Sequence, residues 1–221
     1  MGSYRLRRTI AVIILLLLSA APLSQTVWQL PTLNELTGAE TVPVDVPESL
    51  RQLPVKGRAP KTGYERSEFG AGWGTVDGCS TRERILARDL TVATREDGCR
   101  VLSGKLDDPY TGTTMSFIRG PTTSDDIQID HVVALSNAWQ TGAQQLTYPI
   151  RVRFANDPLN LLAVSGAANE EKSDGDAATW LPPNKAFRCQ YVERQISVKA
   201  KYGLWVTEAE QQAMGRVLEG C

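Results

Sequence analysis

The sequence predicts an α+β fold. Three observations carry this. Capped amphipathic helices alternate with short runs of strand length; Asp, Pro and Gly turns separate the strands; and four cysteines all follow an N-terminal apolar run. With 221 residues, 42% hydrophobic and 22% charged, the chain can bury a real core as one domain, or at most two small ones.

The elements follow in order. Arg5, Arg7 and Arg8 precede an uncharged apolar run from Ile10 to Leu18, then the small residues Ser19, Ala20 and Ala21. This predicts a cleaved signal peptide over residues 1–25, in preference to a retained anchor, because a membrane span needs about 20 apolar residues. Residues 26–60 hold five of the twelve prolines, which predicts a flexible linker over 26–44. A domain over 45–221 then opens with a short helix, Glu48 to Leu53. Ser80 and Glu83 fit a capping box, and Ile85, Leu86 and Leu90 supply a helical stripe from Ser80 to Leu90. Arg100 to Leu106 and Thr113 to Ile118 read as a hairpin around the Asp107–Gly112 turn. Ile127 to Val133 is a strand, Ala134 to Thr141 a helix closed by Gly142, and Leu159 to Val164 a second strand. Ser165 caps the next helix, which puts Asn169 and Lys172 on one face. Lys185 to Tyr202 is another helix, and Thr207 to Glu210 is a capping box that opens a last one.

An even number of cysteines in an exported chain predicts two disulfides, with three possible connectivities. The favoured pairing is Cys79–Cys99 with Cys189–Cys221, since each pair brackets one helical unit. A zinc site is the rival, disfavoured because no CxxC pair occurs. Without residues 1–25 the chain has 21 basic and 25 acidic residues, which argues against strong non-specific binding to nucleic acid. Residues 51–105 are locally basic, with eleven basic and seven acidic side chains.

His131 is the sole histidine, so a two-histidine zinc site within one chain is excluded. It follows Asp130, and Asn160, Asn169 and Lys172 lie downstream. No Gly-x-Ser-x-Gly element occurs, and the cysteines serve better as disulfides, so a serine or cysteine hydrolase is disfavoured. The segments Tyr64–Gly70, Gly78–Arg82, Asp108–Gly112, Ile129–Val133, Asn156–Leu161, Asn169–Lys172, Trp180–Pro183 and Lys199–Leu204 complete an ordered set. In that set the chain resembles secreted HNH endonucleases of the GmrSD-like C-terminal type, from about Tyr64 to Cys221.

The resemblance implies a ββα-metal (HNH) core with additional helices, a small β-hairpin and two disulfides. His131 would take a proton from the attacking water, as suits an imidazole near neutrality. Asp130 and Asn169 would hold a hard divalent ion, magnesium or manganese. Asn160 would hold the loop that carries His131, and Lys172 would steady a phosphate. Many HNH relatives have histidine where this chain has Asn169, but asparagine also stands there in the HNH domain of CRISPR effectors. The interval from His131 to Asn160 exceeds that of compact HNH motifs and is attributed to the inserted helix.

Arg66, Arg82 and Arg84 are candidates to line a nucleic-acid path. Trp73, Trp139, Trp180 and Trp205 read as core rather than stacking platforms. The pairs Asp107–Asp108 and Asp125–Asp126 read as solvated turn carboxylates. The expected activity is hydrolysis of DNA phosphodiesters outside the cytoplasm, with RNA as a second candidate substrate and low sequence specificity. No membrane partner is expected after signal cleavage, and no protein partner is inferable. The competing reading is a noncatalytic cell-envelope or nucleic-acid binding module on the same scaffold, with the acidic balance as its main support.

Overall fold

The structure is a computed structural model that describes residues 46–221. The expected signal peptide and linker lie outside the described residues. The first helix, α1, spans Val46–Gln52, shifted slightly towards the N-terminus of its expected position. The strands β1 (Thr75–Val76) and β2 (Cys79–Ser80) form a small antiparallel ribbon.

Helix α2 (Thr81–Asp89) begins at Ser80, whose hydroxyl accepts from the Glu83 N–H. The reciprocal half of the capping box is not made. Glu83 instead accepts from the Val101 N–H and forms a two-pronged pair with Arg119, tying the helix to the sheet behind it. That sheet has the order β3 (Thr91–Glu96), β4 (Arg100–Asp107), β5 (Thr114–Ile118), all antiparallel. The expected hairpin is its β4–β5 half, and β3 is an addition. Asp108, expected to be solvated, is buried: its carboxylate accepts from the N–H groups of Tyr110, Thr111 and Ser165.

The central pair is β6 (Ile127–His131) against β7 (Leu161–Ser165), antiparallel, with His131 opposite Leu161 and Ile127 opposite Ser165. Helix α5 (Gly166–Lys172) follows at once, so the chain runs strand, strand, helix. Residues 132–160 make one long excursion between the two strands. It contains α3 (Leu135–Gln140), a 3-10 turn (Ala143–Gln145), α4 (Tyr148–Ala155) and a second 3-10 turn (Pro158–Asn160). The single helix expected there is thus two.

Strand alternation gives β6–β7 two covered faces. Ile127, Ile129, Leu161 and Ala163 pack with Ile85 and Leu86 of α2. Leu162 and Val164 pack on the other side with Tyr191, Val192 and Ile196 of α6 (Arg188–Tyr202). Burial of each such side chain is worth about 1.5–3 kcal/mol. Glycine is required at 166: an added Cβ would fall 2.2 Å from the Asp125 carbonyl oxygen, while the Gly166 N–H donates to Asp126 O at 2.8 Å.

The last helix, α7 (Glu208–Leu218), starts with the complete capping box of Thr207 and Glu210. Lys199 of α6 is buried against Glu210 at 2.9 Å and fixes the two helices together. Cys79 pairs with Cys99 and Cys189 with Cys221, with Cα–Cα distances of 5.4 and 5.9 Å. Trp139 and Trp205 are buried, and Trp180 packs on the α6 cluster, all as core side chains.

Candidate active site

The site lies where β6 ends. Alternation sends Asp130 to the α6 face of the strand pair and His131 to the α2 face, yet both border one polar cavity at the strand end. Asn169, Arg66, Lys61 and Asp174 border the same cavity.

His131 is only 6% exposed. Its Nε2 lies 2.9 Å from the Ala155 carbonyl oxygen. A carbonyl has no proton to give, so Nε2–H is the donor. The neutral ring then carries its lone pair on Nδ1. Burial lowers the His131 pKa to about 4, against the opposing effects of the Ala155 bond and Asp130, so the imidazole is neutral at pH 7. Trp73 lies parallel to the ring, with centroids 5.5 Å apart and planes 10° apart. Trp73, expected in the core, is half-buried and packs against the α2 cluster, and it also forms part of the site wall.

Asp130 is 5% exposed. One carboxylate oxygen accepts from Lys172 Nζ at 2.9 Å, and the other accepts from the Tyr110 hydroxyl. Lys172 also donates to the His131 carbonyl oxygen at 2.9 Å. Its ammonium is therefore buried behind Asp130 and His131 rather than presented to a phosphate. Tyr110 had no functional reading in the sequence. The Asp-Pro-Tyr-Thr-Gly turn that carries it was the only available signal.

Asn160 is fully buried. Its Oδ1 accepts from the Val133 N–H at 2.8 Å, its Nδ2 donates to Val133 O at 3.3 Å, and its own carbonyl accepts from the Val132 N–H at 2.8 Å. Three bonds thus fasten the start of the excursion to its end, directly after His131. Asn169 donates from Nδ2 to Gln128 Oε1 at 2.7 Å, which leaves Oδ1 as the amide atom able to bind a cation. Gln128 sits two residues before Asp130 on the same strand face, another partner unseen in the sequence.

Of the three arginines, Arg66 borders the cavity. Arg82 is directed to the Ser124 carbonyl and Glu83, and Arg84 to exposed Asp77, so neither lines the cavity beside His131.

Asp130 and Asn169 offer a carboxylate and an amide oxygen, which suit a hard divalent ion better than zinc. Lys172 and Tyr110 take one lone pair on each Asp130 oxygen and leave others, since an ionised carboxylate has about four acceptor positions. Among the described residues no group of three or more His, Cys, Asp or Glu is placed to share an ion. Two protein oxygens with several waters is a coordination that magnesium accepts.

Residues 80–217 match the family described as GmrSD restriction endonucleases, C-terminal domain. An uncharacterized secreted protein of Arthroderma benhamiae is 38% identical over 210 residues, covering 94% of this chain and 98% of that protein. No solved structure matches the chain. Among the described residues no helix is long and apolar enough to cross a membrane.

Proposed function

Because this chain belongs to the family of GmrSD restriction endonuclease C-terminal domains, we propose that it is an exported, metal-dependent HNH endonuclease that hydrolyses DNA phosphodiesters, and RNA as a second candidate, with low sequence specificity. One observation carries the reading: His131 is neutral, with Nε2–H held by Ala155 O, and borders the same cavity as Asp130 and Asn169. The secreted description of the fungal relative supports export.

His131 Nδ1 takes the proton of a water that attacks phosphorus. The P–O3′ bond breaks, the leaving O3′ takes a proton from solvent water, and a 5′-phosphate and a 3′-hydroxyl result. Asp130 and Asn169 would hold magnesium or manganese, which when bound stabilises the charge on the leaving oxygen. Arg66, which has no ion-pair partner among the described residues, faces the anionic phosphate. Lys172 and Tyr110 hold the Asp130 carboxylate in place, and Asn160 holds the backbone after His131.

The test is plasmid cleavage by residues 26–221, with EDTA and with added magnesium or manganese. Nicking that needs the metal and falls about 10²–10⁴-fold in His131→Ala is expected. Unchanged cleavage in that variant, with circular dichroism showing a folded protein, would overturn the assignment.

A further inference from the structure

A second cavity also borders His131, and the phosphodiester chemistry leaves its Phe69–Trp73 wall unused. It measures about 420 Å³, in the range of small-molecule sites. Phe69, Gly70, Ala71, Gly72 and Trp73 form one wall, and Leu135 and Ala155 border it. His131, Arg66 and Leu135 border both cavities, so the two adjoin at these side chains.

We propose that this cavity takes one unstacked nucleobase of the strand being cut, so that the protein acts on single-stranded or locally opened nucleic acid. The inference rests on the nuclease reading and names the substrate class of that site. A phosphate held at His131 has a nucleoside on either side, and the second cavity shares His131 and Arg66 with the first, which puts it within one nucleotide of the cut. The residues bordering that cavity carry one guanidinium and no carboxylate, which suits a strand of negative charge. Its apolar lining and the Trp73 indole offer what every base face can use, without reading sequence.

The backbone keeps the space open. Gly70 has φ +112° and Gly72 φ +136°, conformations that disfavour side chains. A Cβ built on Gly72 meets nothing within 4 Å, so the space beside it is free. A base within a duplex is stacked and paired, and drawing it out costs a few kcal/mol. Single strands avoid that cost.

The experiment compares a labelled oligonucleotide as a single strand and in its duplex, with magnesium or manganese. The variant is Ala71→Phe, which fills the cavity from an exposed residue with ordinary backbone geometry. Wild type should cut the single strand with kcat/KM about ten-fold above the duplex, and Ala71→Phe should raise KM about ten-fold with little change in kcat. An abasic nucleotide beside the cut should reproduce that loss in wild type. Equal cleavage of both forms, with KM unchanged in Ala71→Phe, would overturn the base pocket and leave the nuclease standing. If nothing is cut, fluorescence anisotropy decides. Single-strand binding that weakens about ten-fold in Ala71→Phe supports the pocket without the chemistry, and binding that is absent or unaffected overturns it.

Discussion

Two regions of this protein each bury a lysine against a carboxylate. In the strand-and-helix region Lys172 meets Asp130 at 2.9 Å; between α6 and α7 Lys199 meets Glu210 at 2.9 Å. Both ammonium groups are withdrawn from solvent. Glu210 is enclosed by its capping box and by core side chains, and its pKa is raised, chiefly by burial against the opposing pull of Lys199. Asp130 instead borders a cavity with lone pairs to spare. A buried ion pair is thus no sign of a site by itself; what faces the remaining lone pairs decides.

The sharpest test of that contrast removes each cation. Lys172→Met and Lys199→Met should each cost about 3–5 kcal/mol in urea unfolding, because each strands a buried carboxylate. Only Lys172→Met should also lower cleavage per folded molecule. Equal activity losses in the two variants would break the comparison.

A pH effect of similar size is expected from the imidazole of the site region. His131 has a folded pKa of about 4, below the ordinary 6.5. As the pH falls through 6.5 the unfolded chain takes up a proton that the native one refuses. Stability is therefore full above pH 6.5 and falls by about 3 kcal/mol towards pH 4. Urea midpoints at pH 7 and pH 4.5 should differ less in His131→Ala than in wild type, and an unaltered difference would refute the burial argument.

The tyrosines extend the comparison. Tyr110 donates to Asp130, and Tyr202 donates to Asp157 at 2.7 Å, outside the cavity. Each Tyr→Phe change should cost about 1.5–3 kcal/mol, as for hydrogen bonds to charged groups. Divalent-ion affinity, measured by titration calorimetry with manganese, should fall in Tyr110→Phe and hold in Tyr202→Phe.

The smallest effect is expected at Arg84, whose pair with Asp77 is exposed. Arg84→Ala should change stability by less than about 0.5 kcal/mol and leave cleavage intact, whereas Arg66→Ala should raise KM. A KM rise in Arg84→Ala would return that residue to the substrate path.

Much of this was legible because local chemistry agreed with the fold. Ser80 and Thr207 open helices as their spacing predicts, and Ser165 caps α5. The disulfides join the favoured pairs. Strand β3 was not legible because it lies largely in solvent: Val92 is 82% exposed with φ +51°, so no alternation marks it. Helix α4 was hidden because Ile150-Arg151-Val152-Arg153-Phe154 alternates with a two-residue period that imitates a strand. At the site, Asp130, His131 and Asn169 could be read as a group, and they do border one cavity. The burial of Lys172 could not be read, because a helix lysine ordinarily faces water and only tertiary contacts place Asp130 and the His131 carbonyl over it. Tyr110 and Gln128 escaped notice for the same reason.

The excursion between β6 and β7 also governs when the site exists. His131 and Leu161 are neighbours across the ladder although 29 residues separate them, and Asn160 fastens the gap. Each doubling of such a loop adds only about 0.6 kcal/mol of closure entropy, so its length costs little at equilibrium. Its cost is in time. Pairing across a long separation waits on a chance meeting of distant segments, and folding slows as such contacts come to dominate. Catalytic geometry therefore matures late in refolding, after the local helices, and the appearance of cleavage should lag behind the recovery of helical signal.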